Sequence, residues 1–295
     1  MAKLGVAEPN RGLKLGLNLV AALLHRVGPS RYRISDPLSN AAFALSRRRR
    51  LATIRNYRMV FPEMGHREAR RLAARSFREY GRTSLDFVYV HRLARPRLIS
   101  LFRSVGVDDV RRMRAAGLGG IFVLMHLGAW DAGAAWATAV GVPLTAVMAD
   151  EGSNAVQDLV IWARAEMGLT AVTASHAPRV VLATLRRGGW VALLADIPGD
   201  TKSVEVDFLG QRARFSVAPV MLAARTGCPL FAVVSVRTPA GGYLVEVHPP
   251  HAVSRDADPA TAMGPLLQVF EQAVRRWPEQ WFPFEEDRLF APAGR

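Results

Sequence analysis

The chain is nearly without cysteine. Cys228 is its only one, so no intrachain disulfide can form, which suits a reducing compartment. Several catalytic signatures are also missing. No G-x-S-x-G run occurs, which excludes a nucleophile elbow. No H-E-x-x-H spacing occurs, and no metal is implied. There is no internal repeat and no low-complexity linker. No small-residue cleavage site follows a clean apolar region near the start, so no secretory leader is expected. Long apolar runs are scarce too. Ala132 to Ala149 is uncharged throughout and reaches the lower limit for a membrane-spanning helix. Gly141-Val142-Pro143 breaks it, however, and its halves read as a helix and then a strand of a soluble core. Leu15 to Leu24 is uncharged but too short to span.

Acidic residues are scarce in the first third. Residues 1–103 hold 22 Lys and Arg against 6 Asp and Glu, and the remainder holds 17 against 19. The whole net charge of +14 therefore arises before residue 104. Such asymmetry points to a surface that meets something anionic: nucleic acid, anionic lipid or a phosphate-bearing substrate. Half of the residues are apolar, enough for a sizeable core in one large α/β domain or two small ones.

What is present centres on one stretch. Ile121-Phe122-Val123-Leu124-Met125 runs straight into His126, and Asp131 follows five positions later. The run follows Gly119-Gly120 and reads as a short buried strand. Ala132 to Val140 reads as a helix ending at Gly141. Residues five apart on a regular helix point about 140° away from each other. His126 and Asp131 therefore meet only if His126 lies in the turn and the chain folds back onto the first helical turn, where the helix dipole also favours the acid. A carboxylate beside an imidazole fixes its tautomer and raises its basicity, as general-base chemistry requires. On pattern alone a structural histidine is the commoner outcome.

The flanking elements read as follows. Leu13, Leu17, Val20, Leu24 and Val27 recur at helical spacing. They fit an interfacial amphipathic helix or a helix packed on the core. Arg47 to Arg50 lead towards Phe61-Pro62-Glu63, which reads as a helix start. Residues 66–91 form an amphipathic helix whose outer face carries Arg67, Arg70, Arg71, Arg75, Arg78 and Arg82. That face could dock on anionic headgroups, an acyl carrier protein or the phosphates of coenzyme A. Val110 to Ala116 is a short basic helix, Leu144 to Met148 a strand, and Asp150 to Asn154 a loop. Val156 to Met167 is a helix holding Arg164, which could hold an anion by a bidentate fork or merely serve the helix dipole. Val180 to Leu185 is a helix. Trp190 to Asp196 is a second buried strand ending in an acid, with Asp200 close behind. Acids at the carboxyl ends of α/β strands are where ligand groups gather. Strands Phe231–Val236 and Tyr243–Val247 and a last helix, Gly264 to Trp277, complete the chain.

HLGAWD resembles the His-x4-Asp/Glu signature of the glycerolipid acyltransferases. RRRRLATIRNYRMVFPE before it, and ADIPGDTKSVEVDFLGQRARF and PEQWF after it, stand in the order found in one branch. That branch includes the bacterial lipid A late acyltransferases and the phosphatidylinositol mannoside acyltransferases. The likeness covers residues 45–285. It departs at Ile197-Pro198, where relatives usually carry polar residues, and this leaves open which of Asp196 and Asp200 is functional.

The resemblance implies an α/β fold, a mixed sheet sandwiched by helices, with a basic helical N-terminal region over 1–105 and the acyltransferase core over 106–295 integrated in one domain. It implies an acyltransferase in which His126 is the general base and Asp131 orients and polarises it. Arg164 and one of Asp196 or Asp200 would bind substrate. Backbone amides near Gly128 are candidate oxyanion donors, and the closing Pro-x-x-Trp would wall the cleft. No cofactor is implied beyond acyl-CoA or acyl carrier protein as co-substrate. The acceptor would be a lipid or glycolipid, and the first helix is drawn toward the membrane. The expected place is the cytoplasmic face of the cell membrane, peripheral or N-terminally anchored, against an anionic surface. Nucleic acid is disfavoured by the lack of a binding motif. Two other readings stay open: a basic membrane-binding protein without chemistry, and a thioesterase or lipid hydrolase on the same fold.

Overall fold

The computed structural model describes residues 9–149, 155–197, 202–284 and 290. The loop at Asp150–Asn154 and the acid Asp200 lie outside the described residues.

Seven strands make one mixed sheet in the order β1-β9-β8-β2-β5-β3-β4. They are β1 (Phe102–Val105), β2 (Gly120–Leu124), β3 (Leu144–Met148), β4 (Thr170–Thr173), β5 (Trp190–Leu194), β8 (Leu230–Arg237) and β9 (Tyr243–Val247). All neighbours run parallel except β8 and β9. The strands β6 (Ser203–Phe208) and β7 (Gln211–Ser216) form a separate antiparallel hairpin. The central strands β2 and β5 are apolar along their whole length, because parallel strands covered on both faces have no solvent side.

Alternation along β2 decides what each face meets. Ile121, Val123 and Met125 join the main core with the hairpin and the helices α10 (Ala218–Thr226) and α11 (Pro259–Arg276). Phe122 and Leu124 point the other way. They meet α6 (Asp108–Ala115) and α7 (Trp130–Ala139). The helices α5 (Arg95–Ser100), α8 (Ala155–Glu166) and α9 (Ala177–Arg186) fill the connections.

The N-terminal region is helical, as its periodicity predicts: α1 (Arg11–Val27), α2 (Tyr32–Leu45), α3 (Arg47–Val60) and α4 (His66–Val90). Phe61-Pro62-Glu63 is a correction. It does not start the long helix but separates two. Phe61 caps α3 with φ −126° and ψ 74°, outside the helical region, as a residue before proline must be. A second correction concerns Ala213 to Thr226, a stretch whose resemblance to the family implies one helix. Ala213 pairs with Val206 inside the hairpin, and α10 starts only at Ala218. Along β7, Ala213 and Phe215 are fully buried, whereas Arg212 is exposed and Arg214 half-buried, the period of two that a strand gives. The edge strand β1 arises from residues before 106, so the sheet draws on both expected regions.

Candidate active site

Two strands of equal length carry the site. In the parallel pairing of β2 with β5, Gly120 stands opposite Trp190 and Leu124 opposite Leu194. The ladder continues one step further, with the Ala195 N–H donating to the Leu124 carbonyl at 2.9 Å. Two residues past Leu124 is His126, and two past Leu194 is Asp196. Register alone therefore sets these side chains abreast at the carboxyl edge of the sheet.

Their contacts are close. His126 Nδ1 lies 2.9 Å from Asp196 Oδ1, and the His126 backbone N–H donates to Asp196 Oδ2 at 3.0 Å. One carboxylate thus holds both the ring and the peptide that carries it. Asp196 is buried at 3% relative exposure, whereas 29% of the His126 side chain is exposed. With Nδ1–H donating to an acid, the basic nitrogen of the neutral ring is Nε2.

The expectation that Asp131 is the acid on the imidazole is corrected here. Asp131 does sit in the first turn of α7, but Arg164 on α8 takes its carboxylate. Nε donates to Oδ1 at 2.9 Å and Nη2 to Oδ2 at 3.2 Å, a bidentate fork. Arg164 also reaches Met148 Sδ at 3.5 Å, at the end of β3. The anionic group held by Arg164 is therefore one of the chain's own. Asp196, expected on the substrate side, is found on the histidine.

The turn Leu127–Ala129 is fixed on every side. Gly128 has φ +71°, and a Cβ there would lie 2.0 Å from the Ser235 carbonyl oxygen, so only glycine fits. Its N–H donates to the Gln280 carbonyl at 2.7 Å, and the Ala129 N–H to the Ser235 carbonyl at 2.7 Å. Ser235 Oγ donates back to the Ala129 carbonyl at 3.1 Å. These amides hold the turn, which corrects their assignment as oxyanion donors.

The closing Pro-x-x-Trp also needs correction. Trp281 is buried in the core and bridges Leu127 as a short strand contact. Tyr57 and Ser76 hydroxyls donate to its carbonyl at 2.9 and 2.7 Å. The residue that borders the site is the next one. Phe282 meets Trp130 edge to face at 5.9 Å, and Trp130 meets the His126 ring at 5.4 Å. The Phe282 N–H donates to the His126 carbonyl at 3.1 Å.

Behind the turn, between α7, α6 and the sheet, lies an apolar cavity of about 240 Å³. Leu124, Gly133 and Ser235 line it beside the turn, and Arg111 and Arg114 line it on α6. It is larger than the roughly 150 Å³ engineered cavity known to admit benzene. No described helix is long and apolar enough to cross a membrane. Among the described residues, no three His, Cys, Asp or Glu stand together as a metal site.

Comparison with known proteins follows the same lines. The chain is 28% identical over 180 residues to the phosphatidylinositol mannoside acyltransferase of Mycobacterium tuberculosis, a match covering 60% of this chain and 56% of that protein. It thus spans little more than half the length of that relative. It is 24% identical over 271 residues to the lipid A biosynthesis lauroyltransferase of Escherichia coli, covering 90% of this chain and 88% of the other. Among solved structures, the 1-acyl-sn-glycerophosphate acyltransferase of Thermotoga maritima superposes with a TM-score of 0.41 at 14% identity, over 85% of this chain and 99% of that one. The sequence profile described as bacterial lipid A biosynthesis acyltransferase matches residues 11–287. On that breadth of match, the chain belongs to the bacterial lipid A biosynthesis acyltransferase family.

Proposed function

We propose that this protein transfers a fatty acyl chain from a thioester to a hydroxyl of a membrane glycolipid or phospholipid. The observation that carries this reading is the His126–Asp196 pair, an imidazole oriented through Nδ1 and exposed at the sheet edge. Nε2 takes the proton of the acceptor hydroxyl as its oxygen attacks the thioester carbonyl. The tetrahedral intermediate collapses, the C–S bond breaks, and the leaving thiolate takes the proton from the imidazolium. No covalent acyl-enzyme is required. General-base help of this kind contributes about 10² to 10⁴ in rate, and alignment of the two substrates supplies much of the rest.

The donor is acyl-CoA or acyl carrier protein, and its chain enters the apolar cavity beside the turn. Trp130 packs on one side of the ring and Phe282 on Trp130, an apolar border suited to a lipid hydroxyl. The Asp131–Arg164 pair fixes the start of α7 against α8. The lipid acceptor is reached at the membrane surface. On α1, Leu15, Leu19 and Leu23 are more than half exposed, as are Ile34 and Leu38 on α2. Exposed arginines on α3 and α4, including Arg47 to Arg49, Arg67, Arg70 and Arg71, meet anionic headgroups. Such donors are made in the cytosol, so docking is to the cytoplasmic leaflet.

The test supplies labelled palmitoyl-CoA and palmitoyl carrier protein in parallel to the purified protein, with vesicles of bacterial glycolipid extract. The wild type moves label into lipid, and His126→Ala abolishes this while keeping its circular dichroism and vesicle binding. Label released only as free fatty acid makes the protein a thioesterase. Full transfer by His126→Ala removes the histidine from the mechanism.

A further inference from the structure

The core holds a cluster of charges that the transfer chemistry does not use. Arg237 ends β8 at 7% exposure, and Asp86 on α4 is 1% exposed. Arg237 donates through Nη1 to Asp86 Oδ2 at 3.1 Å and through Nη2 to Glu79 Oε2 at 2.6 Å. Arg31, before α2, donates to Asp86 Oδ1 at 2.8 Å, and the Tyr32 hydroxyl donates there as well. Arg82 joins Glu79 to Asp36. Three cations thus face three carboxylates. Burial by itself would pull the Arg237 guanidinium down, but Asp86 and Glu79 outweigh it and hold it above its ordinary value.

Buried ion pairs are a poor source of stability, because desolvation offsets their attraction. They are better suited to fixing geometry. Arg237 reaches the turn after His126 through a single intermediary residue, by two routes. Its Nη1 donates to Thr83 Oγ1 at 2.8 Å, and that hydroxyl donates to the Gly128 carbonyl at 2.9 Å. Its own peptide is clamped by the Gln280 side chain, with Arg237 N–H to Oε1 at 2.9 Å and Nε2–H to the Arg237 carbonyl at 3.0 Å. The Gln280 carbonyl in turn accepts the Gly128 N–H. Both peptide groups of Gly128 are therefore held by partners that Arg237 holds.

We propose that Arg237 and Thr83 are positioning residues for acyl transfer, fixing the Gly128 peptides and hence the angle at which His126 meets Asp196. The inference rests on the general-base reading of His126. It also explains why the N-terminal helices and the catalytic turn share one hydrogen-bonded system: α4 carries Glu79, Thr83 and Asp86 at helical spacing on one face.

The deciding variant is Thr83→Val, which keeps shape and removes the relay without leaving a carboxylate unpaired. A misplacement of about 1 Å costs on the order of a hundredfold in rate. We expect Thr83→Val to lower kcat at least tenfold with KM within twofold of wild type, and Thr83→Ser to restore it. In nitrogen-15 spectra, the His126 Nδ1–H resonance of the folded protein should be kept in wild type and Thr83→Ser. It should be lost to averaging in Thr83→Val and in Arg237→Lys. A Thr83→Val protein that is less heat-stable yet keeps wild-type kcat per folded molecule overturns the proposal, as does an unchanged Nδ1–H signal. Spectra of His126→Ala identify the resonance. Should that variant transfer at full rate, the base assignment fails, whereas a persistent Nδ1–H in Thr83→Val defeats only the positioning role.

Discussion

The sheet edge and the outer N-terminal helices stand in contrast. At the edge of β2 and β5, polar groups are few and each has a named partner within hydrogen-bond reach. Asp196 is buried on His126, Arg164 is forked on Asp131, and Gly128 is tied at both peptides. On α1 and α2 many apolar side chains are turned outward, with Leu19 at 62% and Leu38 at 67% exposure. A helix that buries only Ala21 and Leu24 gains little from the core it packs on. On the proposed function, the first region is arranged for geometry and the second for contact with an apolar medium. Chemistry and docking should therefore fail separately, and each prediction below tries to break one without the other.

The largest effect is expected at Asp196. In Asp196→Asn the amide oxygen can accept from Nδ1–H or from the His126 backbone N–H, but its NH₂ must then face the other donor. We expect kcat to fall by about 10² to 10⁴, the usual worth of a well-oriented base, with vesicle binding intact. Asp131→Asn keeps the ring partner and loosens only the fork to Arg164, so a fall of about tenfold is expected. A larger loss in Asp131→Asn than in Asp196→Asn would restore Asp131 as the orienting acid.

That contrast also marks what the sequence makes legible. His126 is visible because an apolar run ends in it, and the helix and strand after it follow from composition. Asp131 is attractive because it is near in sequence. The partner actually used is seventy residues away. Local spacing does not encode a parallel pairing, whose register is decided when the β5 run lies beside β2. A signal was nevertheless present. GIFVLMH and WVALLAD are equal in length, both apolar, and each ends in a titratable group. The basic helix α4 was legible from its periodicity, since arginine fills its outer face. Its inner acids, Glu79 and Asp86, were not, because a buried charge pattern has meaning only with Arg31 and Arg237 beside it. The hairpin β6–β7 was half visible: β6 alternates cleanly, while β7 precedes a helix closely enough to merge with it.

The middle effect concerns docking. Replacing Leu15, Leu19 and Leu23 by Ser removes the outer apolar stripe of α1 without touching Leu24 in the core. Full burial of one leucine is worth roughly 1.5 to 3 kcal/mol. Even partial insertion of three should weaken partition onto anionic vesicles by tenfold or more in a sedimentation assay. Turnover of detergent-dispersed acceptor should stay within twofold of wild type. Loss of turnover on dispersed acceptor would mean that α1 serves the site and not the surface.

The smallest effect tests how α1 is fastened. His91 ends α4 fully buried, and its Nε2–H donates to Asn18 Oδ1 on α1 at 3.0 Å. Its ring also packs on Trp162 of α8 at 5.2 Å. Burial pushes its pKa below the ordinary value. Arg92 and His25 act in the same direction, and Glu166 and the Ala163 backbone act against it. The unfolded chain therefore takes up this proton first as pH falls. The contribution to stability is present above the unfolded value of about 6.5 and is lost as pH drops below it. Melting temperature should decline by a few degrees between pH 7.5 and 5.5. His91→Gln, neutral throughout and still able to donate to Asn18, should flatten part of that decline. His248, shifted the same way by burial, keeps the rest. An equal decline in His91→Gln would show that protonation of this ring does not loosen α1, whose other ties, His25 to the Tyr89 carbonyl and Lys14 over Trp162, then hold it.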